Sequence, residues 1–120
     1  MAWLRSVLDR MGRTDEERLS EEVREWAKSV PDTRTIGGCP SREPVRITGV
    51  VKRLTVRPQD GSASLEALVT DGTGEMAAIW HGRSHIEGLQ LGSRLILKGV
   101  VAQSRHGRTK MVNPDFEFAA

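Results

Sequence analysis

The chain has 120 residues, 38% of them hydrophobic and 28% charged, which allows one domain with a usable core and contains no apolar run near the roughly 18 residues a membrane helix needs. Its single cysteine, Cys39, excludes an internal disulfide and fits a reducing, cytoplasmic setting, and residues 1–12 lack the continuous apolar segment and cleavage site of a secretory signal. The formal net charge of +2 is unevenly spread: residues 1–30 carry six basic and seven acidic side chains, residues 41–120 carry eleven and eight, and fourteen of the eighteen basic residues are arginine. Arginine is the side chain suited to forked contacts with phosphate, although genome composition also produces arginine-rich chains.

Trp3, Leu4, Val7, Leu8 and Met11 recur on one face of a helix that Gly12 is placed to end. Thr14-Asp15-Glu16-Glu17 has the form of a capping box, and Leu19, Val23, Trp26, Ala27 and Val30 line a second helix that Pro31 stops. Residues 1–30 are therefore expected to form a pair of short amphipathic helices. Residues 31–44, with three prolines and two adjacent glycines, are expected to be a linker that wraps the rest.

Strands occupy residues 45–118. Val45 to Val56 alternates, but the phase slips between Val51 and Leu54, so a bulge is expected near Lys52 and Arg53. Arg57 to Ser62 reads as a turn-rich connection. Leu65–Thr70 and Glu75–Trp80 then alternate on either side of Asp71-Gly72-Thr73-Gly74, the chemistry of a tight hairpin. His81 to Gly92 is irregular, with room for a short helix. Arg94 to Gln103 is a fourth strand with Leu95, Leu97 and Val101 inward. After a turn at Ser104–Gly107, Arg108 to Val112 is a fifth, which Asn113-Pro114 interrupts at a sheet edge or exit. Phe116 and Phe118 alternate with acidic residues, which pins the tail to the core. Gly-Val-Val stands in mid-strand at 49–51 and again at 99–101, and glycine there marks sharp curvature or close backbone approach. Five strands in about 75 residues with these bends describe a small curled barrel better than a flat sandwich.

The ordered series Val45-x-Ile47-x-Gly49-Val50-Val51, Asp71-Gly72-Thr73-Gly74-Glu75-Met76, Ile79-Trp80, Leu89-x-Leu91-Gly92, Leu97-Lys98-Gly99-Val100-Val101 and Met111-Val112-Asn113-Pro114-Asp115-Phe116-Glu117 resembles the OB-fold. More narrowly, it is similar to the wedge domain of RecG-type branched-DNA helicases and to free-standing actinobacterial OB-fold nucleic-acid-binding proteins. The resemblance covers residues 43–118. It implies a mainly β, five-stranded Greek-key barrel, here behind two N-terminal helices, that binds single-stranded or branched DNA, more readily than RNA, across strands two and three and the flanking loops. The chain departs from the pattern in having no helicase motor and a third strand poor in aromatics.

On that fold, Lys52, Arg53 and Arg57 lead into one flanking loop and Arg105, Arg108 and Lys110 surround the other, so two clusters distant in sequence are expected to share a rim. The alternative for each is an ordinary solvated charge. Arg83 is a further phosphate contact. Trp80 either stacks on a base or shares the inward face of Met76 and Ala78. In the second case Ala77 and Ile79 face the ligand, a thin platform that favours backbone-dominated, salt-sensitive binding with little sequence specificity. His81 and His85, with Cys39 or His106, fall short of a positioned metal set. Asp71 is explained by the turn, Glu66 and Glu75 as strand exteriors, and Gly72 and Gly74 precede no helix that would make a phosphate loop. Neither catalysis nor a cofactor is expected. The rival reading is an adaptor or oligomerisation module that presents the barrel or the helical stripe of Trp3, Leu4, Leu8, Leu19, Val23 and Trp26 to a protein partner. Nothing in the residues separates DNA from RNA.

Overall fold

The computed structural model describes residues 17–59, 61–103 and 108–119. The expected first helix, the Thr14 cap, Arg105 and His106 lie outside them. Among the described residues one helix, α1, runs through residues 17–29, and six strands follow: β1 (Pro44–Gln59), β2 (Ser62–Thr70), β3 (Glu75–His81), β4 (Arg94–Gln103), β5 (Thr109–Val112) and β6 (Asp115–Phe118).

Five of the six strands join into a ring. β1 pairs with β2, β2 with β3, β3 with β5, β5 with β4, and β4 returns to β1; every pairing is antiparallel except β3 with β5. Closure depends on the length of β1, whose first half pairs with β4 from Pro44 to Val50 and whose second half pairs with β2 from Val50 to Gln59. The strand changes partner where its register shifts between Val51 and Arg53, the place where hydrophobic phase is lost in the sequence. An extra residue there increases bend and twist, which is what a strand shared by two sides of a ring requires.

Alternation decides what fills the ring. Val45, Ile47, Val51, Leu65, Ala67, Val69, Met76, Ala78, Trp80, Leu95, Leu97, Val101 and Met111 are all buried, with Ile36 and Ile86 joining from the connections. Ile36 shows what residues 31–44 do. That segment wraps the ring without forming a strand, makes one bridge from Arg34 to Ile47, and inserts its isoleucine into the core.

Three expectations change. Residues 57–62 are not a broad turn, because β1 and β2 stay paired out to Gln59 and Ser62. No helix forms between His81 and Gly92; a run of turns there buries Ile86 and packs Leu89 beside it. The tail is a strand in its own right. β4 has ten residues and spends only Val101–Gln103 on β5, so Leu95–Lys98 remain open on that side and β6 fills them. Asn113, at φ 50°, makes the switch: its amide donates to Ile79 O and its side-chain oxygen accepts from the His81 amide at 2.9 Å.

Candidate functional site

Because successive side chains in a strand point to opposite faces, the residues between the core positions of β2 and β3 form an outer surface. Register lays them in rows. Arg53, Leu68, Ala77 and Lys110 are successive neighbours across β1, β2, β3 and β5; the next row is Thr55, Glu66, Ile79 and Val112; the third is Arg57, Ser64 and His81. Two adjoining clefts open on this face, of about 330 and 320 Å³. The first is lined by Arg53, Glu66, Leu68, Glu75, Ala77, Arg108 and Thr109, the second by Arg57, Pro58, Ser64, Glu66, Ile79 and His81. Glu66 belongs to both.

The structure thus brings Arg53 and Arg108 to one cleft, with Lys110 on the adjoining strand, although these residues are more than fifty positions apart in sequence. Arg57 stands at the far end, in the second cleft. Lys52 lines neither cleft, although its ion-pair partner lines the first. The bulge turns it toward α1, into a groove with Leu19, Val23 and Val50, and its ammonium pairs with Glu75 at 2.9 Å. Arg83 is exposed in the turn after β3 and lines neither cleft.

Charge on the face is partly neutralised. Arg57 Nε lies 3.3 Å from Glu66 Oε2, and Lys52 is held by Glu75, while Arg53 and Lys110 make no ion pair among the described residues. Arg53 and Lys110, which share one row of the register, are therefore the cations of this face left without an ion pair among the described residues.

Trp80 is corrected to a core residue. It is 4% exposed, its Nε1 donates to Pro114 O at 3.0 Å, and its ring meets Phe116 edge-on at 5.5 Å between centroids. A buried indole satisfied in this way offers no face to a base. Ala77 and Ile79 are the apolar outward residues of β3, between Glu75 and His81, and both line the clefts.

His81 and His85 are not gathered into a metal set, and His106 lies outside the described residues. His81 Nδ1 is 3.0 Å from Ser64 Oγ, His85 is exposed, and among the described residues no group of three His, Cys, Asp or Glu side chains is placed to hold an ion. Cys39 is half-buried and its Sγ donates to Ile36 O; burial is the main influence pushing its thiol up from the ordinary range.

The hairpin tip does more than turn the chain. Asp71 is 2% exposed: Oδ1 accepts from the Thr73 amide and hydroxyl, and Oδ2 accepts from the Ile36 amide at 2.8 Å. Thr73 Oγ1 in turn accepts from the Gly37 amide at 2.9 Å, and Arg24 of α1 donates to Gly72 O at 2.8 Å. Gly72, at φ 86°, is packed so closely under α1 that a Cβ would come within 2.9 Å of Ser20 O. This junction and the central position of Glu66 are what sequence reading missed. Asp71 and Glu66 had local explanations, and nothing in a one-dimensional pattern pointed to their distant neighbours.

No protein-family model matches the chain, and no curated protein matches it.

Proposed function

We propose that the chain is an OB-fold module, a five-stranded Greek-key barrel that binds single-stranded or branched nucleic acid, DNA ahead of RNA, on the outer face of β1, β2, β3 and β5. The observation that carries the reading is the convergence of Arg53, Arg108 and Lys110 beside an apolar strip of Leu68, Ala77 and Ile79, with Arg57 at the other end. Strand order also supports it, since a ring in which β1 closes on β4 and β3 runs parallel to β5 suits an OB barrel whose second and third strands carry the ligand. Backbone contact supplies most of the affinity, because no aromatic ring lies on the strip.

The test is fluorescence anisotropy with labelled single-stranded DNA, single-stranded RNA, duplex and forked DNA at two salt concentrations. Arg53→Ala with Arg108→Ala removes two phosphate contacts. The slope of log affinity against log salt on single strands should become shallower by about 1.4, roughly 0.7 per contact. Unchanged affinity would exclude this face.

A second reading, a protein-binding module, is favoured by one observation: Leu19 is 61% exposed at the edge of the groove it forms with Val23 and Val50. Trp26 does not line that groove; it is half-buried, with the Arg94 guanidinium 5.0 Å from its ring centroid. Absence of binding to all four nucleic acids would move the function to that groove.

A further inference from the structure

A carboxylate in the middle of a face that takes a polyanion needs a reason. Glu66 lines both clefts, lies directly across the strand pair from Ile79, and is flanked by Leu68 on its own strand. Its side chain is 23% exposed, and it is paired with Arg57 through one oxygen and one guanidinium nitrogen. If phosphates ran over this spot, Glu66 would repel them. With Arg53, Arg108 and Lys110 toward one end of the face, the backbone can pass over those and leave a base against Glu66 and Arg57.

We propose that Glu66 and Arg57 together read one base, and that the base is guanine. The inference rests on the face being a nucleic-acid site. Each carboxylate oxygen has two lone pairs, so Glu66 can hold Arg57 and still accept from a ligand, while the terminal guanidinium nitrogens of Arg57 remain to donate. The pair therefore offers two acceptors beside a donor. Guanine presents the complement on its Watson–Crick edge: N1–H and N2–H to the carboxylate, O6 to the guanidinium. Cytosine and adenine each offer the carboxylate one donor from an amino group. Thymine and uracil place their single N–H between two carbonyls that the carboxylate repels. Ile79 and Leu68 supply apolar contact for the ring, a weaker support than an aromatic and one that leaves discrimination to the hydrogen bonds.

The experiment compares an oligothymidylate with the same strand carrying dG, dA or dC at its centre, against the wild-type protein and Glu66→Gln. The substituted amide keeps the shape of the carboxylate but has one acceptor and one donor, so it can satisfy only one of guanine's two N–H groups. The wild type should bind the dG strand about tenfold more tightly than oligothymidylate, with dA and dC between, and Glu66→Gln should cut the preference for dG to no more than that for dA or dC. Arg57→Lys, which keeps charge but loses the fork, should reduce the preference for dG over dC. Equal binding of all four strands by the wild type, with Glu66→Gln tighter on every one, would overturn the inference and leave the binding face intact. No binding to any strand would instead remove the functional reading on which it rests.

Discussion

Replacing Asp71 with alanine should show that the hairpin tip clamps residues 31–44 to the ring. The carboxylate accepts three hydrogen bonds, from the Ile36 amide, the Thr73 amide and the Thr73 hydroxyl. Two of those donors belong to exposed Thr73, where water can replace the lost acceptor at small cost. The third cannot recover so easily. Ile36 is 4% exposed, so its amide would be left unpaired in the interior, at a cost of about 1–3 kcal/mol. Adding about 1 kcal/mol for the turn bonds gives a loss of about 2–4 kcal/mol, or roughly 10 °C in Tm for a chain of this size. Circular dichroism during urea and thermal unfolding measures the total, and amide hydrogen exchange at Ile36 measures its location. Thr73→Val removes the hydroxyl that joins Asp71 to the Gly37 amide, so the double variant should be less destabilised than the sum of the singles. A Tm loss under about 3 °C with Ile36 still protected would refute the clamp.

Three further outcomes follow from the same geometry. Trp80→Phe should lose about 1–3 kcal/mol of stability, because Pro114 O is left without its donor, while nucleic-acid affinity stays unchanged; a loss of affinity without a loss of stability would return Trp80 to the binding face. Gly37→Ala should destabilise by about 1–3 kcal/mol in chemical denaturation, since its Cβ would fall 2.6 Å from the Thr73 carbonyl oxygen and the backbone would have to part. Burial raises the Cys39 thiol above its ordinary range, so at neutral pH it should hold its proton and react with a disulfide reagent more slowly than a free thiol, and the rate should climb only at higher pH than for an exposed cysteine. Reaction as fast as in the urea-unfolded chain would contradict that.

Much of the architecture was legible because it is written in local chemistry. Alternation gave the inward residues of β2, β3 and β4, Asp71-Gly72 gave the hairpin, and the broken phase after Val51 gave the bulge. The sixth strand was hidden for a physical reason. Asp115–Phe118 has only four residues, and it is a strand because β4 leaves Leu95–Lys98 open beside it, a fact of pairing rather than propensity. The candidate site divides along the same line. That Arg53 and Arg108 meet was reachable once a closed sheet was assumed. That neighbouring Lys52 and Arg53 part company was not, because a bulge can be located by phase without revealing which way each side chain leaves it.

The covering of the ring by its own chain also bears on where a partner binds. A sheet closed on itself has an outer surface all round. Along β1, α1 and residues 33–35 cover one part: Ala27, Val30, Thr33 and Thr35 stand over Thr48, which is 2% exposed although it points outward. The Asp71 and Gly72 contacts fix that cover in place at the hairpin tip. Beyond the bulge, β1 passes from under that cover; among the described residues Arg53 and Val112 are exposed and Leu68 and Ile79 between them are half-buried. Polar and charged groups gather there around an apolar strip, whereas on the covered side Asp71 and Thr73 fasten Ile36 and Gly37 to the hairpin tip and Gly72 O accepts from Arg24 of α1. The same hairpin therefore performs two tasks at its two ends. Its tip holds α1 and residues 36–37 through Gly72, Asp71 and Thr73, and its body carries the row of Leu68, Ala77 and Ile79 proposed to meet a ligand.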